Sequence, residues 1–102
     1  MKTIDELNKE LNSASENNNL ETVKYLVKKG ATELNGALVN AAYKNNLEIV
    51  KYLVQKGATD LDSALFFASE NNNLEMVNFL KFVIYVRSNN ITIINNHTLL
   101  IS

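Results

Sequence analysis

The sequence predicts an all-α fold, a short α-solenoid of three stacked helix-turn-helix units followed by an irregular C-terminal tail. Three observations predict it. Thirteen of the fifteen residues of Asn18–Thr32 (NNLETVKYLVKKGAT) recur at Asn45–Thr59 (NNLEIVKYLVQKGAT), an offset of 27. Ala14–Glu21 (ASENNNLE) returns unchanged at Ala68–Glu75, an offset of 54, or twice 27. The apolar residues inside each period are spaced as on helices. A fixed period of this length marks supersecondary units that each bury their apolar face only against a neighbour.

The period places units near residues 5–31, 32–58 and 59–85, within a repeat domain of residues 1–88 and a tail of residues 89–102. In the middle unit Leu34, Leu38 and Ala41 recur at i, i+4 and i+7, with Ala37 and Ala42 beside them, which is the apolar stripe of a first helix. Thr32 precedes that stripe and is expected to cap it. Thr3 with Glu6, and Thr59 with Asp62, have the capping-box spacing. Asn45-Asn46 breaks the period, and Leu47, Val50, Leu53 and Val54 begin a second stripe. Glu48 favours its start, and Gly57, after Lys56, stops it in the left-handed region. Glu21 and Gly30 hold the same posts in the first unit.

Stacking is read from residues sharing a register. Ala14, Ala41 and Ala68 let the first helices approach closely. Leu11/Leu38/Leu65, Leu20/Leu47/Leu74, Val23/Val50/Val77 and Leu26/Leu53/Leu80 are expected to fill the space between units. Tyr25 and Tyr52, which share a position with Phe79, are expected to be semi-buried.

Composition narrows the function. The chain has 102 residues, a single-core length. Its net charge of −1 supplies no global basic field, so no nucleic acid and no membrane surface is expected as partner. The start, MKTIDELNKEL, has no apolar signal run, and Phe79–Val86 falls far short of the ~20 residues a bilayer span needs. The absence of Cys fits a reducing compartment, and an intracellular, cytoplasmic location is expected. Seventeen Asn and no Pro are read as the codon bias of an AT-rich genome. No HExxH, GxGxxG, P-loop or Cys/His cluster exists, so no metal, no cofactor and no enzymatic activity is expected. Asp60 and Asp62 are read as helix-start residues, and His97 as a turn residue of the tail. Lys24, Lys28, Lys51 and Lys56 are read as a solvated outer face on the second helices, with Glu21–Lys24 and Glu48–Lys51 as i,i+3 pairs.

The segment NLEIVKYLVQKGAT, preceded by AL-x-x-AA at Ala37–Ala42, resembles the ankyrin repeat over roughly residues 5–85. The period departs from that family, being 27 residues where the family has about 33. The shortfall lies between Gly57 and Leu65, where ankyrins place a β-hairpin finger and this chain has a minimal turn. The T-P-L-H element is also absent; its places hold Gly36-Ala37-Leu38-Val39 and Ser63-Ala64-Leu65-Phe66. The resemblance implies protein–protein recognition without catalysis, and it places on the concave side of the first helices the positions that vary between units. These are Ser13, Asn40 and Phe67 in one register and Glu16, Tyr43 and Glu70 in the next. A third holds Asn17, Lys44 and Asn71. Of these, Ser13, Glu16, Asn40, Tyr43, Lys44, Phe67, Glu70 and Asn71 are the candidate contacts for a protein partner whose identity the residues do not give. Tyr43 and Phe67 are the bulky members, suited to anchor an interface or, for Phe67, to pack under the tail.

The ends differ. The first helix is rich in Glu6, Asn8, Lys9, Glu10, Asn12 and Ser13, as an N-terminal capping unit requires. The last unit reads FVIYV at Phe82–Val86 where the others have KKGAT and QKGAT, so its second helix is expected to run on toward Arg87. Ile91–Ile94 and Thr98–Ile101 around an Asn pair suit a hairpin. The tail can cover the apolar end of the array, pair two copies as a homo-oligomer, or be a disordered remnant of a longer array.

Overall fold

Asparagine makes each turn between the paired helices. Asn18, Asn45 and Asn72 adopt φ of 57°, 65° and 54°, a left-handed conformation that Asn tolerates better than most residues because its short side chain bonds locally. The computed structural model describes residues 1–89, 91–94 and 97–100. In these, six helices form three antiparallel pairs: α1 (Ile4–Glu16) with α2 (Leu20–Lys29), α3 (Leu34–Tyr43) with α4 (Leu47–Gln55), and α5 (Leu61–Glu70) with α6 (Leu74–Ser88). In every turn the residue before the left-handed Asn is the C-cap of the first helix and the residue after it the N-cap of the second. Asn19 Oδ1 accepts the Thr22 N–H at 3.2 Å, and Asn73 Oδ1 accepts the Met76 N–H at 3.1 Å. Eight of the seventeen Asn lie in these turns, so codon bias is an incomplete account of them.

Gly30 and Gly57, at φ 113° and 109°, turn the chain out of α2 and α4. There the Ala31 and Ala58 N–H groups bond back to the Leu26 and Leu53 carbonyls at 3.0 Å, the closing bond of a Schellman-type end. α6 has no such glycine and extends to Ser88. Its Arg87 guanidinium donates to the carbonyls of Ala58 at 2.9 Å and Val54 at 3.0 Å, tying the last unit to the end of α4.

One core runs through the array. Leu11, Val23, Leu38, Val50, Leu53 and Leu80 are fully or almost fully buried, and so are Ala14, Ala41 and Ala68. α1, α3 and α5 pack side by side through the alanine register. Two expectations fail at the ends. Leu74 is 72% exposed and fills no space between units. Tyr25 is 58% exposed where Tyr52, under Lys24 of the unit before it, is half-buried.

The capping expectation holds at one threonine of three. Thr3 forms the full capping box: its Oγ1 accepts the Glu6 N–H at 3.1 Å, and Glu6 Oε1 accepts the Thr3 N–H at 3.0 Å. Thr32 and Thr59 do not cap; Glu33 and Asp60 stand at the N-cap positions and make no side-chain cap bond. Both threonines are held by the preceding unit. Asn8 Oδ1 accepts the N–H groups of Thr32 (2.8 Å) and Glu33 (3.0 Å), while its Nδ2 donates to Thr32 Oγ1 (3.1 Å). Asn35 repeats all three contacts on Thr59 and Asp60. The register position in the third unit is Asp62.

Beyond α6, β1 (Ile91–Ile94) pairs antiparallel with β2 (His97–Leu100), Ile91 opposite Leu100 and Ile94 opposite His97. His97 therefore opens a strand and does not sit in the turn. The expected covering of the array end by Ile91, Ile93, Ile94, Leu99, Leu100 and Ile101, and by Phe67's packing beneath them, rests on side chains outside the described residues.

Candidate functional site

The three turns bring the unit-to-unit differences into one row. Glu16, Tyr43 and Glu70 are the last residues of α1, α3 and α5, and Asn17, Lys44 and Asn71 the residues that cap them. Ser13, Asn40 and Phe67 lie one turn earlier on the same helices. The candidate residues thus form a strip across three parallel helix C-termini.

Their states differ. Ser13, Glu16, Tyr43, Lys44, Glu70 and Asn71 are exposed, whereas Asn40 and Phe67 are half-buried. Asn40 Nδ2 donates to Asn12 Oδ1 of the unit before it at 3.2 Å. Asn71 Nδ2 donates to the Ala42 and Tyr43 carbonyls at 3.3 and 2.9 Å. In the first junction Asn46 meets the matching carbonyls of Ser15 and Glu16 at 2.6 and 3.3 Å. Asn40 and Asn71 are therefore joints between units. The last turn of each first helix leaves carbonyls without helical partners, and the next unit's asparagine answers them.

The apolar part of the strip is an aromatic cluster. Phe67 stands edge-to-face with Tyr43 (centroids 5.4 Å apart, planes at 89°) and with Phe66 (5.3 Å, 79°). Tyr43 is 58% and Phe66 59% exposed. The Lys44 ammonium lies 5.7 Å from the Tyr43 ring centre. Phe66 escaped the sequence reading, although the Phe-Phe pair itself was its signal: the same registers hold Asn12-Ser13 and Val39-Asn40. Edge-to-face pairing holds the cluster's geometry while leaving the Tyr43 and Phe66 rings exposed.

Charge is divided between the two helix layers. On α2, α4, α6 and their caps stand Lys24, Lys28, Lys29, Lys51, Lys56, Lys81 and Arg87, opposed only by Glu21, Glu48 and Glu75. The first helices and their caps hold the other eight acids and, with the N-terminal segment, three lysines. The net charge of −1 is the small remainder of two opposite faces. Of the two carboxylate–lysine pairs expected on the second helices, Glu48–Lys51 forms, at 3.8 Å, and Glu21–Lys24 makes no ion pair.

A family model described as Ankyrin repeats (3 copies) matches residues 11–93. This fold of stacked helical pairs is that of a repeat scaffold, and the chain belongs to the ankyrin repeat family. Ankyrin repeats are generally non-catalytic protein–protein interaction modules. No curated protein and no solved structure is matched by the chain. No helix among the described residues is long and apolar enough to cross a membrane.

Proposed function

We propose that the chain is a non-catalytic scaffold that binds a partner protein on the strip of first-helix ends. The observation carrying this reading is the Tyr43–Phe67–Phe66 cluster, whose outer rings face solvent beside Glu16 and Glu70. Aromatic residues on a fixed scaffold are the usual centre of an interface. Helix C-termini add partial negative charge to those carboxylates, so the partner segment is one with an apolar anchor flanked by Lys or Arg.

Selection of displayed peptides against the immobilised chain tests this. Enriched peptides should pair an apolar anchor with basic residues and lose affinity for Tyr43→Ala and Phe66→Ala, both of which keep the helicity of the parent by circular dichroism. Peptides that bind both variants as tightly as the parent place the interface elsewhere. A second reading, pairing of two copies through α6, draws on the exposure of Phe82 and Tyr85 on that helix. The solution mass of the intact chain separates the two.

A further inference from the structure

We propose that the opposite side of the array, the groove between α2 and α4, is a second binding surface, which takes an acidic segment of a protein partner. The groove is lined by Glu21, Lys24, Tyr25 and Lys28 of α2 and by Tyr52 and Lys56 of the α4 end. Glu21, Lys24, Tyr25 and Lys28 follow at i, i+3, i+4 and i+7, so one stripe of α2 forms a whole wall. Three of the six lining residues are lysines against one glutamate. None of these lysines has an ion-pair partner among the described residues.

The rings fix where the cations stand. The Lys24 ammonium lies 5.8 Å from the Tyr52 ring centre and the Lys56 ammonium 5.6 Å from it, so two units direct their charges toward one tyrosine. Lys29 lies 5.5 Å from the Tyr25 ring centre. Each contact is of cation–π length, a weak attraction at an exposed site. That is enough to bias a flexible side chain and too little to satisfy its need for an anion. An ammonium on a ring still has its N–H donors to offer, and carboxylates are the acceptors that match them.

The same contacts argue against the other polyanion. Single strands of nucleic acid bind such surfaces by stacking bases on open aromatic faces. Here the chain's own ammonium groups occupy positions over both tyrosines. The charge pattern also separates the two surfaces: the strip of first-helix ends favours a basic segment and this groove an acidic one. The proposal does not depend on the function proposed above.

The probe is a fluorescein-labelled peptide of alternating Glu and Leu, followed by fluorescence anisotropy on the full chain. Binding should weaken as salt is raised. Lys24→Glu combined with Lys28→Glu should weaken it roughly tenfold or more, as reversal of two facing charges implies. Lys81→Glu, outside the groove, and Tyr43→Ala, on the other surface, should leave it unchanged. Any of these results overturns the proposal: no binding of the peptide at low salt, equal loss with Lys81→Glu, or tight binding of a labelled oligouridylate with none of the peptide. A salt-independent complex unaffected by the double reversal overturns it as well.

Discussion

The two helix layers are cut from one period yet pack differently. α1, α3 and α5 stand close along the array, with Ala14, Ala41 and Ala68 where they meet, whereas α2 and α4 touch at few points. Between the second helices the facing residues are large: Lys24 reaches over Tyr52, and Lys51 over Phe79 at 5.7 Å, one register on. Small residues draw one layer together and long ones spread the other. The comparison teaches that the spacing within each layer follows side-chain volume at its facing register. The proposed division of binding follows it: the strip of first-helix ends lies on the tight layer and the groove in the spread one.

The comparison breaks most readily at Ala41, which is fully buried at the centre of the tight layer. Ala41→Leu has no room to enter and should cost ~1–3 kcal/mol. In a chain of this size that lowers Tm by roughly 5–20 °C. Lys24→Leu, facing its neighbour in the spread layer, should stay within about 0.5 kcal/mol because the site is exposed. Thermal denaturation of both decides it; equal losses would mean that the two layers are packed alike.

A smaller effect sharpens the contrast between junctions. Asn8 is buried and holds three groups of the second unit, so Asn8→Ala leaves two backbone N–H groups without their acceptor. The expected cost is ~1–3 kcal/mol. Asn35 makes the same three bonds at an exposed site. Water can replace it there, so Asn35→Ala should cost less. Denaturant titrations in which Asn35→Ala proved the more damaging would assign the clamp's strength to geometry and not to burial.

These clamps also show what the sequence could and could not disclose. The helix stripes, the alanine register, the glycine stops and the turns after Glu16, Tyr43 and Glu70 are local or strictly periodic, and all were legible. Thr32 and Thr59 were misread because a hydroxyl before an apolar stripe has the local pattern of a cap, while its partner lies 24 residues earlier. The recurrence of Asn8 at Asn35, each 24 residues before a threonine, was the available signal. Tyr25 and Leu74 were misread for another reason. A register argument gives each unit the same neighbours, whereas the packing of the first and last described units differs from that of the middle one. At the strip, the variable positions came out of the repeat directly, but variation alone does not separate a free surface residue such as Tyr43 from a joint such as Asn71. That distinction needs the carbonyl geometry of the preceding helix.

The smallest expected effect concerns pH, and it lies wholly in the first layer. The Thr3 backbone N–H, which bonds to the Glu6 carboxylate, and then the Thr3 hydroxyl beside it hold that carboxylate below the usual carboxylate range. A group whose pKa is depressed on folding contributes stability above its unfolded value, and that contribution disappears as pH falls through the folded one. Lys2 is shifted the other way, raised by its bond to Glu10, so its contribution is present at neutral pH and is lost only as pH rises through the raised value, above 10.5. Both groups are fully exposed, so each contribution is slight and screened by salt. Glu6→Gln keeps an acceptor for the Thr3 N–H, as the capping box allows, while removing the titration. The variant should therefore match the parent near pH 4 and below more closely than it does at pH 7, with a shallower loss of Tm on acidification. Parallel Tm–pH curves for the two proteins would mean that the capping box does not sense acid.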